Sequence, residues 1–375
     1  MKGILPKIAS SVLLVLALTL LLAVLVTVPG CTGGGGNETG NQTLAIFHAG
    51  SLAVPFADLA DEFEGLNPNV DVVLTSGGSA TIINQAIAQE QAGESPPDII
   101  ASADYSLIPS LYGNYSDWYI AFAKNAMVLC YRDNAPGSDN ITSGNRTWYD
   151  VLRNDPVSYG HSDPDQDPCG YRTLMVAQLA QAYYCDNATS FNLTPDSNAC
   201  GLYDALIPGG DYDRGRTGGQ NLTARPGGST EVVSAKSVDL ITALEAGSLD
   251  YAFEYLSVAL QHNLNYIPLD NHINLSKIDL EIPGVEEFYA TAFVWTIKTP
   301  GPPPTYSKQT GAAIVYGVTI PLHAENEDSA AEFIYLLLSN SGKYVMEVKN
   351  FQPMIEPPIC DHPENLPALL QPLFD

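Results

Sequence analysis

The sequence predicts an α/β protein built as two lobes with a ligand cleft between them. Short apolar strands alternate with amphipathic stretches of helical spacing, the pattern of a parallel sheet flanked by helices. The chain has 375 residues, more than one domain usually holds. A long apolar segment, residues 120–131, leaves the first set of elements, and the chain returns near residues 264–269. Hydrophobic residues make up 45%, enough for sizeable cores. In α/β proteins the crevice made by such an arrangement is where ligands sit.

At the N-terminus, Lys2 and Lys7 precede an apolar run over residues 12–28, followed by Pro29, Gly30 and Cys31. A positive start, an apolar stretch and a small residue before a cut site are the parts of an export signal, here residues 1–30. A cysteine directly after Gly30 resembles the lipobox of secreted lipoproteins, in which that cysteine carries lipid and becomes the mature N-terminus. The run also just reaches the lower limit of a membrane span, so an uncleaved transmembrane anchor is the alternative. Either reading tethers the rest outside the cytoplasm. Residues 31–42 are a Gly- and Asn-rich flexible linker. Asn-X-Ser/Thr triplets at Asn37, Asn41, Asn114, Asn140, Asn145, Asn187, Asn192, Asn221 and Asn274 favour an extracellular, glycosylated surface.

Residues 44–47 form a short apolar strand ending at Ala49-Gly50-Ser51. Phe56, Leu59, Ala60, Phe63 and Leu66 then recur at helical spacing behind Pro55. Residues 70–74 are β-branched and run into Ser76-Gly77-Gly78-Ser79, with a helix over 81–91. Residues 98–101 are another buried strand, and residues 120–131 cross between lobes. The second lobe takes residues 150–152, the helix after Pro168, and residues 238–255. The tail is read as a strand pair, 293–297 with 313–320, separated by a Pro-rich loop and closed by a helix over 329–338. The lobes divide as 43–124 and 263–375 for the first, with its C-terminal helix, and 125–262 for the second.

Among the six cysteines, Cys185 and Cys200 flank an Asn-, Ser- and Pro-rich insertion and are expected to pair. Cys130 reads as a buried thiol, and Cys360 is left open. No Cys/His cluster suggests zinc. The net charge is −26 although only 15% of residues are charged, a shortage of Lys and Arg. That argues against a nucleic-acid partner, which needs a basic patch. An anionic ligand remains compatible if backbone N–H groups hold it.

Three segments share a strand end, then Gly or Ser, then a helix: Ala49-Gly50-Ser51, Gly77-Gly78-Ser79-Ala80 and Asp167-Pro168-Cys169-Gly170-Tyr171. A helix start offers unpaired N–H groups and a partial positive charge. Serine adds a hydroxyl donor, and glycine permits close approach. Several such starts aimed at one point would bind a tetrahedral oxyanion without Arg or Lys. Ordinary capping is the alternative for each segment alone.

His48-Ala49-Gly50-Ser51-Leu52 with Pro55-Phe56, Ser102-Ala103-Asp104-Tyr105, and Ser162 through Arg172 (SDPDQDPCGYR) resemble the archaeal tungstate/molybdate-binding proteins. So do Gly247 through Tyr255 (GSLDYAFEY) with Ser257-Val258-Ala259, and Val315-Tyr316-Gly317-Val318-Thr319. The resemblance runs in order over nearly the whole mature chain, and DPCGYR and DYAFEY are its specific parts. It implies the type II periplasmic-binding-protein-like fold, one oxyanion in the cleft, no cofactor and no catalysis. It further implies delivery to a membrane ABC permease with its ATPase by a monomeric, lipid-anchored extracellular protein. By this resemblance Ser51 and Ser79 donate from the first lobe, and the N–H groups around Cys169 and Gly170 and the phenol of Tyr255 from the second. Asp167 matches a carboxylate that approaches the metal of the oxyanion. The second such carboxylate is a Glu two residues before an Asp-Leu pair, and that position here is Ser237. Ser237 would donate a hydrogen bond instead, leaving a more nearly tetrahedral anion. Neither Glu231 nor Glu254 stands at the matching place.

Read for themselves, Asp167 can cap the helix that follows it, Tyr255 can be packing, Asp104 is a turn or hinge residue, and His48 is an exposed or a core-packing residue. Arg172 is expected to pair with Asp163 or Asp165. Sulfate or thiosulfate would use the same donors, whereas phosphate wants an acceptor carboxylate beside a matched Arg. A carboxylate facing sulfate is repulsive, and this favours the metal oxyanions. An extracellular hydrolase is disfavoured because no Gly-x-Ser-x-Gly elbow, HExxH or Walker loop is present. A receptor's sensor part would need a separate signalling partner.

Overall fold

The computed structural model describes residues 42–207, 227–299 and 303–374. Cys31, the export signal and the sequons at Asn37, Asn41 and Asn221 lie outside them.

Strands β1 (Gln42–Ala49), β2 (Val70–Gly77), β3 (Ile99–Ser102) and β4 (Ile120–Lys124) begin the first sheet. Strands β5 (Met127–Tyr131), β6 (Ser158–Ser162), β7 (Thr230–Ser234), β8 (Tyr251–Tyr255) and β9 (Asn265–Pro268) build the second, in the order β7-β6-β8-β5-β9. Strands β10 (Phe293–Thr299) and β11 (Thr305–Thr310) form a separate antiparallel hairpin. Strands β12 (Val315–Thr319) and β13 (Met354–Cys360) return to the first sheet, whose order is β13-β4-β12-β3-β1-β2. β1 lies parallel to both β2 and β3, and β6 parallel to both β7 and β8.

The apolar run over 120–131 is two strands in two sheets, joined through Asn125 and Ala126. The two elements share a core because both are buried on both faces, as their unbroken apolar sequence requires. Three readings of the sequence need correction. Residues 265–268 do not start the return; they are the edge strand of the second sheet, paired with β5. Residues 293–297 pair with Thr305–Thr310 rather than with the apolar 313–320, which is claimed by β3 and β4. The helix Glu327–Leu338 does not close the fold, since β13 follows it onto the edge of the first sheet.

The first lobe's core shows why its helices dock. In the helix Ala53–Leu66, Phe56, Leu59, Ala60 and Phe63 fall on one buried stripe. Phe333 of the helix Glu327–Leu338 meets Phe56 and Phe63 edge-on, at ring separations of 5.9 and 5.4 Å. Each such ring contributes roughly 1.5–3 kcal/mol by burial, and with the cavity left behind Phe333→Ala should cost about 3–5 kcal/mol of stability. The helix Pro168–Gln181 is buried from Pro168 to Ala180. Asp167 starts it by accepting the Cys169 N–H, and Pro168 occupies the first turn, where its missing N–H costs nothing.

Cys185 and Cys200 form a disulfide. Cys130 and Cys169 are buried thiols, and Cys360 is partly buried. Asn114, Asn140, Asn145, Asn187 and Asn192 are exposed. Asn274 is buried and its amide donates to Leu269 O, so that sequon offers no glycan site. No helix among the described residues is long and apolar enough to cross a membrane.

Candidate functional site

The residues singled out by the sequence lie where carboxyl ends of strands from the two sheets meet. Ser51 sits in a 3-10 turn after β1, and Ser79 is the first residue of the helix Ser79–Gln91 after β2. Asp167, Cys169 and Gly170 start the helix after β6, Ser237 follows β7, and Tyr255 ends β8. Ser51, Ser79, Asp167, Cys169, Ser237 and Tyr255 are all buried. The two lobes are in close contact here. A Cβ added at Gly78 would lie 2.3 Å from Gln166 O, and the Ala80 N–H donates to that same carbonyl. Gly170 serves a different purpose, since a Cβ there would strike Ser162 O within its own lobe.

A hydroxyl has one proton and two lone pairs. Ser79 Oγ accepts the Ala103 N–H at 2.9 Å. Tyr255 OH accepts from Arg172 at 2.7 Å. Ser51 Oγ bonds Tyr316 OH at 2.9 Å, and Tyr316 OH in turn accepts from Asn125 at 3.1 Å. Ser79 and Tyr255 thus act as acceptors toward the protein, and Ser51 joins them when Tyr316 is the donor of their shared bond. Their own protons then have no acceptor among the described residues. The three are linked in one circuit, because the Tyr255 and Tyr316 rings lie 6.1 Å apart and Arg172 also donates to Ala103 O at 2.8 Å.

Asp167 uses both oxygens on main-chain donors. Oδ1 caps Cys169 N–H at 3.2 Å, and Oδ2 accepts Ser237 N–H at 2.8 Å. Burial raises its pKa above the ordinary carboxyl value, against the pull of those two N–H groups. Beside it, Glu254 is fully buried on β8. Oε2 accepts the Tyr255 N–H at 2.8 Å. The Ser237 hydroxyl approaches the carboxyl, yet Oε1 has no partner at hydrogen-bond geometry. Burial pushes Glu254 up to about 8 against the Ser237 hydroxyl and the Tyr255 N–H, with Asp167 adding to the rise. It is therefore neutral at pH 7. Ser162 Oγ, near Asp167, is also buried without a partner at hydrogen-bond geometry.

Arg172 departs from the sequence reading. It pairs with Asp104 of the first lobe at 3.2 Å, not with Asp163 or Asp165. Burial works against its charge, but Tyr255, Asp104 and Tyr171 outweigh that and hold its pKa above the ordinary value. Asp104 is thus more than a turn residue, although Oδ1 does accept the Ser106 N–H. His48 packs on Phe56 with ring centroids 5.6 Å apart and donates to Ala49 O; burial lowers its pKa, so it stays neutral.

Asn125 and Tyr316, which hold Ser51 through hydrogen bonds, are not singled out as site residues by the sequence. Asn125 breaks an apolar run at the crossing between sheets, and a buried amide at such a break was the available signal. Its Nδ2, with two protons to give, also lies within hydrogen-bond distance of Ser257 Oγ and Gln352 Oε1, and its Oδ1 accepts the Ala126 N–H.

Residues 44–351 match the family model described as bacterial extracellular solute-binding protein. The chain is 38% identical over 349 residues to an uncharacterized solute-binding protein of Methanoculleus marisnigri, covering 90% of this chain and 92% of that one. It is 36% identical over 358 residues to a molybdate/tungstate-binding protein of Pyrococcus abyssi, covering 93% and 96%. In fold it is similar to the sulfate-binding protein SubI of Mycobacterium tuberculosis, with a TM-score of 0.51 at 10% identity over 84% of this chain and 88% of that one.

Proposed function

Because the chain belongs to the extracellular solute-binding proteins, together with the archaeal molybdate/tungstate-binding proteins, we propose that it captures tungstate or molybdate in the seam between its lobes. It then hands the anion to a membrane ABC permease and its ATPase, without catalysis and without a cofactor. The observation that carries this is the set of three buried hydroxyls, Ser51, Ser79 and Tyr255, of which Ser79 and Tyr255 already accept a protein hydrogen bond and Ser51 shares one with Tyr316. Their protons suit an acceptor-only ligand drawn from outside. The N–H groups at Cys169 and Gly170 already donate to Asp167 Oδ1 and Asp167 O, and would have to give up those bonds to join them. Neutral donors explain how a chain of net charge −26 holds a dianion: site geometry outweighs the distant field.

Asp167 is the candidate for contact with the metal centre of the oxyanion. Ser237 supplies no second carboxylate, and neutral Glu254 supplies no second charge, so the anion keeps a near-tetrahedral shape. Sulfate is the competing ligand, since the same donors serve it. Titration calorimetry with tungstate, molybdate, sulfate and phosphate decides. Sulfate binding equal to or tighter than tungstate would refute the ligand assignment.

We further propose a monomer; the export signal and Cys31 support its lipid anchor at the outer face of the cell membrane, and the exposed sequons support glycans. Mass spectrometry of the mature N-terminus tests the anchor, and an intact Met1 would refute cleavage before Cys31.

A further inference from the structure

We infer that Arg172 is a positioning residue that couples an anion in the seam to closure of the two lobes. The inference rests on the oxyanion reading above and concerns a side chain that does not itself need to touch the ligand. Arg172 lies in the helix Pro168–Gln181 of the second lobe and is 3% exposed. Within its own lobe it donates to Tyr255 OH at 2.7 Å, and its guanidinium carbon lies 5.8 Å from the centroid of that ring. Across the seam it donates to Ala103 O at 2.8 Å and pairs with Asp104 at 3.2 Å. The neighbouring Tyr171 OH donates to the same Asp104 oxygen at 2.5 Å. The Ala103 N–H, on the other side of that residue, holds Ser79 Oγ.

One guanidinium therefore grips one anion donor of each lobe: Tyr255 directly, and Ser79 through the backbone of Ala103. When the lobes part, the bonds from Arg172 to Ala103 and Asp104 and the bond from Tyr171 to Asp104 break together, while the bond to Tyr255 stays. When they close without an anion, the hydroxyl protons of Ser79 and Tyr255 are buried with nothing to receive them, which is costly. An anion removes that cost, and the pair with Asp104 then holds the closed state. The anion leaves only after these bonds break, so the latch acts on the dissociation rate.

The test is Asp104→Asn. Asparagine keeps an oxygen for the Ser106 N–H and removes the charge. Simple electrostatics predicts tighter anion binding, because a negative charge near the site is gone. The latch predicts the opposite sign. Stopped-flow measurement with tungstate should show dissociation faster by about tenfold or more, the scale for breaking a buried charge pair. Association should change by less than about twofold, and the ligand-free melting temperature should stay the same. Arg172→Lys keeps the charge but cannot hold Tyr255, Ala103 and Asp104 at once, and should dissociate faster still. Asp71→Asn, an exposed charge control on β2, should behave as wild type. Wild-type affinity or tighter in Asp104→Asn, or a loss confined to association, would overturn the latch alone. A wild-type chain that binds none of the four oxyanions would overturn the ligand reading and the latch with it.

Discussion

Replacing Glu254 with Gln should make the protein's stability at alkaline pH rise, not fall, although the residue is fully buried. Glu254 points from β8 into the face occupied by Ala252, whose cluster includes Val128, Cys130 and Leu240. Only Oε2 has a well-formed bond. A carboxyl with an ordinary value of 4.5 is raised to about 8 there. At about 1.36 kcal/mol per pH unit, holding the proton over that range is equivalent to roughly 5 kcal/mol. The sign follows from linkage. The folded value is above the unfolded one, so between pH 4.5 and 8 the folded state binds more protons. The contribution is fully present below 4.5 and lost as pH rises through about 8. The glutamine side chain is a neutral amide with no such dependence. Urea denaturation of both proteins at half-unit steps from pH 5 to 9 should show wild type losing stability relative to Glu254→Gln, by more than 1 kcal/mol per unit through most of the window. Above pH 8 the difference should level off. Parallel curves would refute the reasoning, because they would mean that the buried carboxyl ionises normally in the folded state.

Ser79→Ala removes a hydrogen bond to a charged ligand and should weaken tungstate binding by roughly 1.5–3 kcal/mol, about 10- to 150-fold, in calorimetry. Gly78→Ala places a methyl 2.3 Å from Gln166 O across the seam; its backbone is extended and tolerates Ala, so the ligand-free melting temperature should hold while tungstate-induced compaction in X-ray scattering is lost. Tyr316→Phe deletes the hydroxyl between Asn125 and Ser51 and should raise the Kd with the fold retained, read by calorimetry and circular dichroism. Replacing Cys185 and Cys200 with Ser opens a loop of sequence separation 15 and should cost about 3 kcal/mol of unfolding free energy.

The strand-then-helix rhythm makes the two sheets legible, and strand ends followed by Ser or Gly mark Ser51 and Ser79 without any knowledge of contacts. What stays hidden involves partners far apart in sequence. Nothing local distinguishes Asp104 from Asp163 as the mate of Arg172; only the closing of two lobes brings Asp104 to it. β13 is unreadable because Pro357 and Pro358 interrupt it. Such residues are tolerated because this is an edge strand whose pairing with β4 is irregular between Met354 and Ile359. The hairpin escapes a sequence reading because β11 is polar, with an alternation of exposed and half-buried residues, while the apolar 313–320 looks the better mate for 293–297. Glu254 shows the reverse failure, an acid inside a strand whose alternation alone calls for an apolar residue.

The strand order of the first sheet also has a bearing on how the chain acquires its shape. β12 lies between β4 and β3, so until residues 315–319 emerge from the ribosome the early strands are left as two fragments with a gap between them. The second sheet, by contrast, draws all five strands from one uninterrupted stretch, residues 127–268. The lobe made in the middle can be finished while the lobe begun first still waits for its centre. A nascent chain stalled before residue 315 should therefore carry a protease-resistant second lobe and a digestible first one.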